Sequence, residues 1–312
     1  MPTPVILDCD PGIDDCVALM LALASGGELT VEAICTVAGN VAVDICTRNA
    51  LGLLALTGHT DVPVYSGCAR PMQVDPIFAN HIHGESGLGP VVFPEKRPAA
   101  HAGSAVDFLV GRLSDTSQRP ATLVITGPST NLATALRQAP EITAGIDRIV
   151  LMGGARREGG NITPSAEFNI YADPDAAQAV LHCGRPVTVI GLDTTLQFRC
   201  TPDRMQALRA IGNPASRAAA GMIEHVNAIY GEIYGTAGAA LHDPCTISWL
   251  LAPGLFSARP ARIEVETLSA LTRGHTAVDL RPGADNPANA VWVDGLDADG
   301  VFRLLLERMA RL

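Results

Sequence analysis

The sequence predicts an α/β fold: an open, mainly parallel, doubly wound sheet flanked by helices. Short apolar runs alternate with helical patterns along most of the 312 residues, the arrangement that builds a sheet covered on both faces. The runs are nearly continuous rather than alternating, as strands buried on both sides are. No linker, repeat or low-complexity tract interrupts them, so one domain spanning residues 1–312 is expected.

The elements follow in order. Val5–Cys9 reads as the first strand, and a helix over Asp14–Ala24 follows a Pro11-Gly12 turn. Val31–Val37 is the second strand, with a helix over Val43–Leu56. A helix over Ala105–Leu113 precedes the strand Ala121–Ile125, and Asn131–Gln138 is the next helix. The strand Arg148–Met152 leads to a helix over Pro174–Cys183, whose proline suits a first turn, and then to the strand Val187–Leu192. Beyond it the pattern turns helical over Pro202–Ala210 and Ala215–Tyr234, with another helix starting near His242. Strands return at Ile263–Thr267, Thr276–Leu280 and Ala290–Val293, before an amphipathic helix over Ala298–Arg311.

Composition narrows the chemistry. Thirty-two acidic against 22 basic residues give a formal charge of −10 with no basic run, which argues against nucleic acid or an anionic membrane as partner. Lys96 is the only lysine, so a Schiff base, a P-loop or a charge-neutralising lysine must use that residue or fail. The eight cysteines form no CxxC pair and no zinc-spaced cluster, as in a reduced protein. No charged leader precedes Val5-Ile6-Leu7 and no apolar run approaches a membrane span, so the expected location is the cytoplasm.

Ligands of open α/β sheets bind beyond the carboxyl ends of the strands, and the polar residues there are the ones to inspect. The first strand ends in Asp8-Cys9-Asp10-Pro11-Gly12-Ile13-Asp14-Asp15. Four carboxylates in eight residues repel one another unless a cation or protons intervene. Asp14 and Asp15 fall in the first helical turn, where the dipole favours anions; helix capping is the alternative, but it needs one carboxylate. An oxygen-only cluster favours Ca²⁺ or Mg²⁺ over zinc. Asn40 ends the second strand, Thr126-Gly127-Pro128 another, and Met152-Gly153-Gly154 a third, ahead of a polar loop carrying Asn161, Glu167, Phe168 and Asn169. Leu241-His242-Asp243-Pro244 opens a helix, with Asp243 a natural cap before proline. Val226, Tyr230 and Tyr234 stand at i, i+4, i+8 on one helical face, which either borders a ligand or packs on the core.

With these residues in view, the chain resembles the inosine–uridine-preferring nucleoside hydrolases. The matching segments are DCDPGIDD (Asp8–Asp15), TGPSTNLA (Thr126–Ala133), Met152-Gly153-Gly154, the loop Asn161–Asn169, LHDP (Leu241–Pro244) and LTRGHTAVD (Leu271–Asp279). The resemblance covers essentially the full length. It implies an open α/β sheet, one Ca²⁺ and cleavage of the N-glycosidic bond of ribonucleosides, with uridine and inosine favoured. It assigns Asp10, Asp15, the carbonyl of Thr126 and Asp243 to the metal. It gives Asp14, Asn40, Met152, Asn161, Glu167 and Asn169 to the ribose, with His83 and Phe168 near the nucleoside, where the helical face of Tyr230 could border the base. Asp10 becomes the base and His242 the leaving-group acid. It also implies a homo-oligomer, a tetramer by preference.

Two rivals remain at this level. A haloacid-dehalogenase-like phosphohydrolase also places DxD after its first strand, but Pro11-Gly12 follows here and Lys96 is poorly placed. A non-catalytic nucleoside-binding protein would lack Asp10 or the acid, and both are present. No GxGxxG follows the first strand, which removes dinucleotide binding.

Overall fold

The computed structural model describes residues 1–235, 238–281 and 287–312, and of Tyr234 the backbone. The apolar runs become a nine-stranded sheet. Its strands are β1 (Thr3–Cys9), β2 (Leu29–Thr36), β3 (Val64–Ser66), β4 (Ala121–Ile125), β5 (Ile146–Met152), β6 (Val187–Ile190), β7 (Phe256–Val265), β8 (Thr276–Asp279) and β9 (Ala290–Leu296). Their order is β3-β2-β1-β4-β5-β6-β9-β7-β8. Pairing is parallel from β3 through β9, and β7 is antiparallel to both β9 and β8. The chain winds outward one way from β1 and the other way from β4, so the switch point lies between these two strands, where such sheets place a ligand.

The helices are α1 (Ile13–Leu23), α2 (Val43–Thr57), α3 (Asn80–His83), α4 (Ala105–Ser114), α5 (Thr130–Gln138), α6 (Phe168–Ala172), α7 (Pro174–Leu181), α8 (Leu192–Thr195), α9 (Pro202–Ile211), α10 (Pro214–Tyr234), α11 (Pro244–Leu251) and α12 (Ala298–Met309). Side chains of α1, α2, α9, α10, α11 and α12 cover one face of the sheet through Leu19, Leu53, Met205, Ile223, Ile247 and Leu305. On the other face, Leu109, Leu132 and Val180 of α4, α5 and α7 do the same. Val5 and Leu7 point to the first layer and Ile6 to the second, the two-sided burial that a continuous apolar strand requires.

Local signals set the helix ends. Asn213 accepts from Ser216 N–H at 2.7 Å ahead of Pro214, and Gly235 closes α10 at φ +64°. The expected strands lie where the apolar runs are, with three corrections. β6 stops at Ile190 because Leu192 already belongs to α8; β3 is a three-residue strand that the pattern did not show; and β7 starts at Phe256, not at Ile263. Among the described residues no helix is long and apolar enough to cross a membrane.

Candidate active site

At the carboxyl end of β1 the chain turns through Asp10-Pro11-Gly12 into α1. The turn is tightly surrounded: a Cβ on Gly12 would lie 2.6 Å from His83 Nδ1 and 2.7 Å from Asn40 Nδ2. Asp10 and Asp15 are fully buried. Asp10 Oδ2 accepts the Asn40 backbone N–H at 2.6 Å, while its Oδ1 is buried with no protein partner. Asp15 Oδ1 accepts from the Thr126 hydroxyl at 2.8 Å, and its Oδ2 accepts from Gly12 N–H at 3.1 Å and Asn40 Nδ2 at 2.9 Å. Asp14, Asp15 and Asp243 each bring one carboxylate oxygen within 4.8 Å of the others. Asp14, which the resemblance gave to the ribose, thus stands beside the metal set as well.

Asp243 sits at the N-cap of α11, but its side chain makes no capping hydrogen bond. The expectation that it serves as a cap is corrected: its own backbone is helical, φ −67° and ψ −36°, whereas a capping side chain needs an extended residue. The carboxylate is free for the cavity. Glu167 does the opposite. It caps α6, accepting from Asn169 and Ile170 N–H, and it also accepts from Gly154 N–H at 3.0 Å.

These residues meet in one cavity of about 140 Å³. Asp14, Asn40, His83, Thr126, Met152, Asn161, Glu167, Phe168, Asn169, Tyr230, His242 and Asp243 all line it, and the buried Asp10 and Asp15 are bonded to Asn40 and Thr126 of its wall. Thr126 O accepts from Asn169 Nδ2 at 2.6 Å, leaving one lone pair for another partner. Asn161 Oδ1 accepts Phe168 N–H at 2.9 Å, so its amide N–H groups remain for the cavity. His83 Nδ1 accepts Ile13 N–H at 3.1 Å, so the Nε2 side carries the proton. Val226 and Tyr230 of α10 join Ile223, Ile233 and Ala239 on the apolar half of the lining; the side chain of Tyr234, expected on the same face, lies outside the described residues. Sequence reasoning overlooked Thr195, whose hydroxyl lies 2.7 Å from His242 Nδ1. The signal was available, because Thr195 closely follows a strand's carboxyl end.

The electrostatics are one-sided. Burial pushes the Asp10 and Asp243 carboxyls well above their usual range, and neighbouring Asp15 and Asp14 add to it. Burial likewise raises Asp15 and Glu167 to about 7. No lysine or arginine lines the cavity among the described residues. The orphaned Asp10 Oδ1 and an all-oxygen donor set fit a hard cation, whose charge would hold these carboxylates ionised. Burial lowers both His83 and His242, so their resting rings are neutral near pH 7.

Comparison with known proteins gives this geometry a family. The profile described as inosine-uridine preferring nucleoside hydrolase matches residues 5–303. The chain belongs to that family. It is a nucleoside hydrolase, an N-glycosyl hydrolase, which removes the phosphohydrolase and non-catalytic readings. The chain is 43% identical over 311 residues to a pyrimidine-specific ribonucleoside hydrolase RihA of Shewanella sp. (strain ANA-3), covering 99% of this chain and 97% of that one. It is 44% identical over 310 residues to the RihA of Salmonella schwarzengrund, covering 99% of both. A purine-preferring ribonucleoside hydrolase from Gardnerella vaginalis superposes with a TM-score of 0.91 at 34% identity, covering 99% of this chain and 98% of its own. The open α/β sheet expected from the sequence is the fold these nucleoside hydrolases share.

Proposed function

We propose that this chain, acting as one domain, hydrolyses ribonucleosides to ribose and free nucleobase with Ca²⁺ in its site, uridine and inosine being favoured. The observation that supports it is the convergence of Asp14, Asp15 and Asp243, with His242 lining the same cavity and Asp10 bonded to Asn40 of its wall, at the sheet's switch point. Asp10, Asp15, Asp243 and the Thr126 carbonyl would hold the cation. Its several carboxylate oxygens, with room left for ligands from the substrate, suit Ca²⁺. When bound, that charge orients an adjacent water and makes it more acidic.

The chain's own residues supply the rest. Asp10 Oδ1, buried and without a protein partner, takes the water's proton. As the C1′–N bond breaks, positive charge grows on the sugar. Oxygens of Asp14, Asn40, Glu167 and Asn169 stabilise that oxocarbenium-like ribose, while the Asn161 amide N–H groups donate to a sugar hydroxyl and Met152 lies against it. Glu167 keeps capacity for a hydroxyl, because a carboxylate accepts about four bonds and three are taken by backbone N–H groups. His83, through Nε2, contacts the nucleoside, and Phe168 and Tyr230 border it. His242 assists the departing base. Water attacks directly, with inversion at C1′ and no covalent intermediate.

The base preference is supported by the lining. Trp249 packs on Phe256 and Trp292 is fully buried in β9, so among the described residues no tryptophan lines the cavity for purine stacking. The relatives named above are pyrimidine-specific or purine-preferring, which a mixed preference spans. Comparing kcat/KM for five ribonucleosides tests it. Uridine and inosine should lead, and activity confined to purines would refute the preference. The active form proposed is a homotetramer, to be read by light scattering; a clean monomer removes that part.

A further inference from the structure

His242 is useful to a departing base only if one ring nitrogen carries a proton and faces the cavity. What fixes this is a buried residue at the end of α8. Thr195 ends the short α8 directly after β6 and is fully buried. Its neighbours tie that turn down on two sides. Asp193 accepts from the backbone N–H groups of Arg156 and Arg157 at 2.8 and 3.0 Å, and the Thr194 hydroxyl donates to the Val293 carbonyl of β9 at 2.7 Å. The Thr195 hydroxyl is therefore held in place, 2.7 Å from His242 Nδ1.

The direction of that bond follows from burial. Among the described residues the Thr195 hydroxyl has His242 Nδ1 as its one hydrogen-bond partner. A buried O–H needs an acceptor, whereas a hydroxyl oxygen tolerates an unfilled lone pair. Thr195 therefore donates to Nδ1. The ring proton then sits on Nε2, the nitrogen left for the cavity that His242 lines.

We propose that Thr195 is a positioning residue of this site: its hydroxyl holds His242 in the Nε2–H tautomer and fixes the ring so that Nε2–H is presented to the nucleobase. The inference rests on the leaving-group role given to His242. Thr195 itself touches neither sugar nor base. Its effect should therefore appear in kcat for substrates that need help at the leaving group, and not in KM.

Thr195→Val keeps the side chain's shape and removes the hydroxyl, and Thr195→Ser restores it. For the best natural ribonucleoside, Thr195→Val should lower kcat roughly ten- to hundredfold, part of the factor that a hydrogen-bond donor aimed at the charge developing on the departing base supplies. KM should stay unchanged. On 4-nitrophenyl riboside, whose leaving group is stable as an anion, the variant should match the parent. Thr195→Ser should recover most of the lost kcat. ¹⁵N spectra of the His242 ring, assigned by comparison with His242→Ala, should show Nε2–H in the parent and mixed tautomers in Thr195→Val. An Nδ1–H ring in the parent, an unimpaired Thr195→Val, or an equal loss on both substrates would overturn the proposal. If His242→Ala itself falls equally on both substrates, the leaving-group role is what fails, and the ring spectra still decide whether Thr195 sets the tautomer.

Discussion

In the proposed mechanism Asp10 and His242 serve opposite sides of the same bond, so altering them should have different signatures. Asp10→Asn keeps the size and one ligand oxygen but removes the base and a charge from the metal set. Every substrate should slow by about 10²–10⁴, and Ca²⁺ affinity should drop, as metal titration would show. His242→Ala removes only help to the base, so uridine and inosine should lose much of a comparable factor while 4-nitrophenyl riboside loses little. A second residue-scale expectation concerns the sugar. In the proposed mechanism Asp14 and the bound cation hold the ribose hydroxyls, and deoxyuridine would leave such groups unpaired. Its kcat/KM should fall below that of uridine by up to about 10⁴; comparable turnover would contradict these contacts. The residues named here were legible because chemistry-bearing types stood at strand ends. What each side chain bonds to was not. Asp243 reads as a cap and is free for the cavity, while Glu167 reads as a sugar ligand and is first of all the cap of α6. A sequence lists donors and acceptors without saying which pair.

At the scale of elements, the junction of β1 and α1 organises the site. Gly12 caps α1 with an extended backbone, φ −98°, that any residue can adopt. The need for glycine there is spatial, since His83 and Asn40 crowd the missing Cβ. Gly12→Ala should cost about 1–3 kcal/mol through overpacking and lower activity by displacing His83 and Asn40, which denaturant melts and steady-state rates would check. The elements that the pattern missed share one cause. β3 has three residues, α3 and α8 four each and α6 five, too short for a 2.0- or 3.6-residue period to develop. The start of β7 escaped for another reason. Ser257, Arg259, Pro260 and Arg262 break its apolar character, and β8 registers only with Arg262–Val265, leaving Pro260 where β9 is the neighbour. Proline is tolerated where a strand is not paired on both sides.

The whole molecule carries the strain of its buried carboxylates as a pH dependence. Burial raises Asp8 from 3.8 to about 7 and Glu167 from 4.5 to about 7, and Asp10, Asp15 and Asp243 move in the same direction. Between about pH 4 and 7 these carboxyls thus hold more protons in the folded chain than in the unfolded one, and the lowered His83 and His242 offset part of that difference. The stability linked to these groups is complete below their unfolded values and is lost as pH rises through about 7. The Tm of chelated protein should therefore fall between pH 5 and pH 8, by on the order of 5 °C. Ca²⁺ at a hundred times its Kd should return about 2.7 kcal/mol at pH 8, together with activity. Full turnover by verified metal-free protein, or a Tm that rises with pH, would contradict this account. The sequence by itself determined the alternation of strands and helices, the carboxylate-rich end of β1 and the polar residues at the other strand ends. Periodicity, capping and strand ends are local properties, written within a few residues of one another. Only the tertiary structure decided that β1 and β4 are neighbours, that Asp14, Asp15 and Asp243 come together in space, and that the Thr195 hydroxyl reaches His242. Those pairings depend on how two faces of helices pack onto one sheet, and packing joins residues that no spacing along the chain relates.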